Sequence, residues 1–420
     1  MKTSSKVIVD TIIGRPLVFL LNLAARMLGQ ILRPNHSLYH APKKIVVCKF
    51  LGMGSIVQAT PLLQTLKKNF PSTKLIFVTS KTNRKLLEML PMVDKVLVVD
   101  DSGMFATLAT TMQLLFNLWK EKIDLHIDLE TYSYYSTALS TMSCTRNRFG
   151  FYRKGVNIRM GVYTHMMFFN ARAPISQVYL QMARLAGCKE IVNSIYKFEI
   201  RDEVKRTLSE KLRPMNFKTD KKYVVINPNA SDLRIERRWA KENFVTLINR
   251  LASSSSEMQF VLIGAANEAD YVTSVFAKVD EQYKPSLINT AGKLNLEELI
   301  ALIDACALMV SNDTGPMHLS FALNKPTVAL FGPCSPQQYG LSENAFSIYK
   351  NIYCSPCVHE FITPPCKGDN QCMKQIKIEE VFNLCMARLK ESERGAQSII
   401  AQPITFLKED NTALGIVSRN

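Results

Sequence analysis

The chain has 420 residues, 47% of them apolar, which is enough for two or three domains with their own cores and too much for a disordered protein. Lysine and arginine outnumber aspartate and glutamate by 52 to 36, and the resulting net charge of +16 favours anionic partners: nucleic acid, anionic lipid or phosphorylated small molecules. Nucleic acid is set aside, because the sequence has no basic run interleaved with aromatics and no zinc-finger or RNA-recognition signature.

Residues 1–33 carry the run VIVDTIIGRPLVFLLNLAARMLGQIL, broken by Asp10, Arg15, Pro16, Asn22 and Arg26. No uncharged span of about eighteen residues exists, so a transmembrane helix is not expected. No small-residue cleavage site follows the apolar core to mark a removed signal. From Pro16 to Leu32 the apolar residues gather on one side of a helix, with Lys2, Lys6 and Arg33 on the flanks. The helix lies either on an anionic membrane surface or on the globular body, and the net positive charge leans toward the membrane. Residues 1–40 are therefore set apart from the domains.

Lys43 opens the first α/β unit: KKIVVCKF is a strand, LGMGS a glycine loop and IVQATPLLQTLKKNF a helix, followed by the strands KLIFVTS and KVLVVD. Gly52-x-Gly54 lacks a third glycine, and no acid ends the KLIFVTS strand, so the dinucleotide fingerprint fails. What remains is a loop of Gly52, Gly54 and Ser55 at a strand's carboxyl end, a ligand position in open parallel sheets. The alternative is two glycines that only permit a turn with positive φ. DLHIDLE, residues 124–130, reads as a buried strand that ends in Asp128 and Glu130, placed on the same side by alternation. Either these acids accept a proton from a substrate hydroxyl, or one faces solvent and the other pairs with Arg146, Arg148 or Arg153. Residues 146–173, rich in arginine and aromatics, suit an anionic acceptor, a membrane surface or a solvated loop.

A charged helical pattern between Asp202 and Asp220 separates an amino-terminal domain, residues 41–205, from a second, residues 206–390, with a tail at 391–420. The second half repeats the first half's alternation of strand and helix, which implies a parallel sheet wrapped by helices. Three of its loops follow strands and open on one edge. The first, NASDLRIERRW, carries Arg234, Arg237 and Arg238, whose guanidinium groups can fork onto phosphate. The second has Gly264 and then Glu268, which binds ribose hydroxyls or caps the next helix. The third is SNDTGPMH, residues 311–318, where Asp313, Thr314 and Gly315 begin a helix and His318 lies on its first turn. Its backbone N–H groups suit a diphosphate, although an ordinary capped βα loop reads the same way.

Of ten cysteines, Cys354, Cys357, Cys366 and Cys372 fall within nineteen residues, with His359 among them. They form a structural zinc site, a disulfide pair or a set of reduced, merely local thiols.

Taken in order, the glycine loop with TPLL, INPNAS then RRW, LIGAANE, TAGKLNLEELIALI, SNDTGPMHLSFALNKPTVALFGP and CSPC resemble glycosyltransferase family 9, the bacterial heptosyltransferases of the lipopolysaccharide core. The resemblance covers roughly residues 43–390. It implies a GT-B fold, two Rossmann-like α/β domains with parallel sheets facing across a cleft, the first receiving the acceptor and the second the nucleotide sugar. It further implies an inverting enzyme that needs no metal ion or other cofactor, acting on a lipid-linked glycan as a peripheral protein at the inner face of the bacterial inner membrane. Asp313, Thr314, Gly315 and His318 match the donor motif, Arg237 a basic residue that meets the phosphates, and Glu268 an acid near the nucleoside. The carboxy-terminal helix is expected to pack back across both domains. One position departs: the family's aspartate after the loop glycine, its general base, is Ser55 here. Either Asp128 or Glu130 takes the proton instead, or the protein is a membrane-associated nucleotide-sugar binder with impaired catalysis.

Overall fold

A computed structural model describes residues 8–38, 40–153, 157–230, 234–358, 364 and 366–393. Two six-stranded sheets organise it. The first is built from β1 (Lys44–Cys48), β2 (Lys74–Ser80), β3 (Lys95–Val99), β4 (Leu125–Asp128), β5 (Asn147–Tyr152) and β6 (His165–Phe168), in the order β3-β2-β1-β4-β5-β6. The second contains β7 (Tyr223–Asn227), β8 (Gln259–Leu262), β9 (Leu287–Asn289), β10 (Leu308–Asn312), β11 (Thr327–Phe331) and β12 (Ala345–Tyr349), in the order β12-β11-β10-β7-β8-β9. Every pairing is parallel. The strand runs are apolar on both faces, as sheets covered by helices on both sides require, and Val46, Val47, Phe77, Val225, Phe260 and Val310 have no exposed surface.

Each sheet reverses its strand order between its first and fourth strands, so a crevice opens beyond the carboxyl ends of β1 and β4, and another beyond β7 and β10. The glycine loop follows β1, Glu130 follows β4, the arginine loop follows β7 and the DTGPMH stretch follows β10. Two Rossmann-like domains were expected, and two are present.

Two details differ from expectation. A boundary at 205/206 falls inside the helix Asp202–Leu212, which packs on the helix Leu296–Asp304 of the second domain. Arg201 pairs with Glu297 at 2.7 Å and Lys211 with Glu298, so the helix goes wholly with the carboxy-terminal half. The carboxy-terminal helix Ile378–Glu393 does not bridge the domains as a core element. Val381, Cys385 and Leu389 bury themselves in the second domain's core beside Leu247 and Leu251. Its apolar face, rather than chain order, decides where it docks.

Candidate active site

The Ser311–Asn312 end of β10 delivers Asp313 and Thr314 to the crevice, and the helix Gly315–Ala322 starts immediately after. Thr314 is the cap residue, yet its hydroxyl does not bond the helix's first N–H groups; it accepts from Asn227 Nδ2 at 2.7 Å and donates to the Asn312 carbonyl. The cap side chain leaves these amides unbonded, as an anion site requires. Asn227 Nδ2 also reaches Ser311 Oγ, and Asn312 donates to the carbonyls of Pro228 and Asn229 while accepting from Trp239 N. These asparagines lock the arginine loop to the DTGPMH stretch. Neither was singled out in the sequence, where Asn at a strand end reads as a turn residue.

Arg237 and Asp313 meet at 3.5 Å, both mostly buried. Burial opposes the arginine's charge, but the Asp313 carboxylate outweighs it and raises the Arg237 pKa. A cation is thus held beside the helix start, where a diphosphate would bring its charge. Its neighbour serves differently: the Arg238 guanidinium stacks on Tyr271 at 3.8 Å and reaches Asn229 and Ala230. Glu268 Oε2 accepts from Ala265 N at 2.8 Å and so caps its own turn, while remaining half-buried at the crevice rim.

His318 is fully enclosed, and its pKa falls to about 4, mainly through burial and partly through Arg237, against the pull of Asp313. It is a neutral imidazole at physiological pH. Its Nε2 lies 3.8 Å from Asp313 Oδ1, and its Nδ1 lies 3.1 Å from Gln58 Nε2 of the other domain. The helix Met53–Gln58 packs on the helix Gly315–Ala322; it begins earlier than the sequence reading has it, so that Gly54 and Ser55 of the expected loop lie within it and Gly52 caps it. The two loop glycines have separate reasons to be glycine. Gly52 sits at φ 85°, in the left-handed region. Gly54 has an ordinary backbone, but a Cβ there would come within 2.1 Å of His318 Cδ2. Met53 lies over Gly315 at 3.3 Å from where a Cβ would stand, so the glycine loop covers the helix start.

The acids after β4 are placed otherwise than expected. Glu130 is buried, and Lys49 Nζ and the backbone N–H groups of Phe50 and Leu51 bond it at 2.8–2.9 Å. Burial would raise its pKa; Lys49 and the two amides reverse that and hold it below the usual carboxylate range. Neither this geometry nor this pKa fits a base, and its partner is Lys49 rather than any of the three arginines considered. Glu130 instead anchors the glycine loop to the end of β4. Asp128 is also enclosed, with Tyr163 OH at 2.5 Å from Oδ2 and Glu130 N at 2.9 Å from Oδ1. Burial lifts its pKa to about 6 despite the Tyr163 bond. Arg159, buried and missed in the sequence, donates to the Glu130 and Ser133 carbonyls. Ser55 is half-buried and shares a hydrogen bond with Tyr179.

Cys354, Cys357, Cys366 and Cys372 are all free thiols. Among the described residues no group of three or more His, Cys, Asp or Glu is arranged to hold a metal ion and no disulfide joins the four cysteines, so neither the zinc nor the disulfide reading is supported. Burial raises the Cys372 thiol to about 11. His359 lies outside the described residues, as do Lys2 and Lys6.

Residues 112–365 match the model of glycosyltransferase family 9 (heptosyltransferase). Lipooligosaccharide heptosyltransferase 2 of Campylobacter jejuni is 25% identical over 348 residues, 81% of this chain and 96% of the relative. Among solved structures, the ADP-heptose lipopolysaccharide heptosyltransferase II of Escherichia coli superposes with a TM-score of 0.67 at 22% identity, covering 83% of this chain and 99% of that one. The family 9 glycosyl transferase of Veillonella parvula gives 0.68 at 21%, covering 85% and 99%. The fold is GT-B, and the chain belongs to glycosyltransferase family 9, the heptosyltransferases, as a glycosyltransferase.

Proposed function

We propose that the protein transfers a heptose, or a related hexose, from a nucleoside diphosphate to a lipopolysaccharide-core or other envelope-glycan acceptor that is lipid-linked, working on the inner face of the inner membrane. The observation that carries this is the convergence of Arg237, Asp313, the uncapped helix start at Thr314–Gly315 and His318 against the glycine loop of the opposite domain. The acceptor hydroxyl attacks the anomeric carbon, the bond to the diphosphate breaks with inversion, and the leaving diphosphate meets Arg237 and the helix amides. Their positive charge stabilises the negative charge that grows there, so no metal ion is needed in the step. Neutral His318 positions the Asp313 side without adding charge. Glu268 meets the nucleoside, where its half-buried rim position suits ribose hydroxyls.

For the proton, Ser55 has no useful basicity, and Glu130 is committed to the loop. We assign it to Asp128, whose pKa of about 6 suits a proton acceptor near neutrality. Asp128 is enclosed, so the proton passes through the Tyr163 hydroxyl that already bonds it. ADP-heptose, the donor named for the solved Escherichia coli relative, is the first to test. Incubation with it, and with other nucleotide sugars and deacylated core acceptors, should release nucleoside diphosphate only when donor and acceptor are both present. No release with any donor would sink this reading.

A further inference from the structure

Asp10–Leu32 is a helical stretch of 23 residues, long and apolar enough to cross a membrane, which the broken composition had argued against. Its contacts show how it is held. Asp10, Gly14, Val18, Asn22 and Arg26, spaced by four, face the first domain. The Asp10 carboxylate accepts from Tyr134 N and Tyr135 N at 2.9 and 2.6 Å. Gly14 lies so close to Tyr134 that a Cβ would stand 2.7 Å from its side chain, and Val18 is fully buried. Asn22 donates to the carbonyls of Ile158 and Met160, and Arg26 to Asn22 and Met160. Crossing a bilayer would strip these bonds and leave the groups unpaired in hydrocarbon.

The other side is apolar and exposed: Phe19 59%, Leu20 61%, Met27 57% and Ile31 75%. The same holds for the helix Met104–Glu121, where Phe105 is 86% and Phe116 65% exposed. The two helices flank the helix Tyr134–Met142: Tyr135 takes Asp10 on its N–H and Thr111 on its hydroxyl, while Trp119 donates to the Met142 carbonyl. Their acids do not oppose an anionic surface. Asp10 is turned inward, and Glu121 is paired with Lys44, Lys74 and Lys95. Arg15, Arg33 and Lys120 are exposed.

We propose that Asp10–Leu32 and Met104–Glu121 together form one docking face that lies in the plane of an anionic bilayer, its apolar side chains in the interfacial layer and its cations among the headgroups. The second helix, which the sequence alone did not suggest, doubles the apolar face. The same contacts tie the face to the site: Asp10 holds the start of the helix that follows β4, and Arg159 links the Glu130 and Ser133 carbonyls there. A lipid-linked acceptor would thus arrive beside the glycine-loop domain. Docking does not depend on the transfer reaction, so either can fail alone.

The test is flotation of the purified full-length chain with vesicles of phosphatidylglycerol and phosphatidylethanolamine, and with phosphatidylcholine alone. The chain should float with the anionic vesicles, less at high salt, and poorly with phosphatidylcholine. Phe105→Glu with Phe116→Glu, and separately Leu20→Glu with Met27→Glu, should each lower the bound fraction about tenfold or more at unchanged thermal unfolding, since each pair moves charge into the apolar layer. Four results would overturn the proposal: no binding to anionic vesicles; binding insensitive to the Phe105 and Phe116 changes; a dimer that these changes dissociate, which assigns the face to a second copy; or resistance to alkaline carbonate extraction, which means a spanning helix.

Discussion

At the scale of single residues, the proposed donor side rests on Arg237. Arg237→Ala should lower kcat/KM by about 10²–10³-fold, the usual loss of one group that stabilises developing charge, and Arg237→Lys by less, because it keeps the charge and loses the fork. Steady-state kinetics with saturating acceptor would check both. Asp128 predicts a pH dependence. Its carboxyl must be ionised to accept a proton, so kcat should fall as pH drops through about 6, and Asp128→Asn should remove that limb along with most of the rate. Tyr163→Phe should lower kcat without raising the donor KM. A rate limb unchanged in Asp128→Asn would place the proton elsewhere. His318 makes a prediction about stability. Its pKa is about 4 folded against an ordinary value of 6.5, so the unfolded chain binds the proton more readily between these values. Stability is therefore full above pH 6.5 and is lost as pH falls toward 4, by up to about 3 kcal/mol for a shift of this size. His318→Gln should flatten that slope in denaturant melts taken from pH 7 to 4.

At the scale of elements, the glycine loop is held at both ends by buried contacts. Glu130→Gln leaves the Lys49 ammonium buried without its carboxylate, and breaking such a pair costs about 3–5 kcal/mol. Thermal unfolding should fall accordingly, and donor turnover with it, because the same carboxylate fixes the Phe50 and Leu51 amides. Gly54→Ala acts differently. Its methyl group would collide with the His318 ring, so the helices Met53–Gln58 and Gly315–Ala322 must separate. Overpacking of this kind costs about 1–3 kcal/mol, while activity should drop far more, since the two halves of the site meet there. Comparing melting temperature with kcat/KM in this variant separates the two effects.

At the scale of the molecule, one apolar cluster runs from Ile56, Leu62 and Leu66 in the first domain to Ile300, Leu319 and Leu323 in the second, so the site sits on a shared, packed interface. A nucleoside diphosphate that binds only the folded state should raise stability by about 2.7 kcal/mol at a hundred times its Kd, which calorimetry or a melting-temperature titration would read. Much of this was legible beforehand. The two α/β halves follow from apolar strand runs alternating with amphipathic helices, which act locally; turn and cap residues mark the start of a helix at 313–318, and the family resemblance alone makes it a donor stretch. The zinc reading of the cysteines and the reading of Glu130 as a proton acceptor find no support, because spacing along the chain does not say which side chains are already engaged.

The sequence by itself determined the fold class and the repeated strand–helix grammar, because each is written in neighbouring residues; the donor reading of residues 313–318 and the departure at Ser55 come from the family resemblance. Tertiary structure alone decided that Gln58 meets His318 across 260 positions, that Lys49 claims Glu130 across 81, and that Asp10 joins the start of the Tyr134 helix across 124. Packing sets these partners after the chain has folded back on itself. They bring the two crevices against each other, where the proposed donor, acceptor and proton would meet.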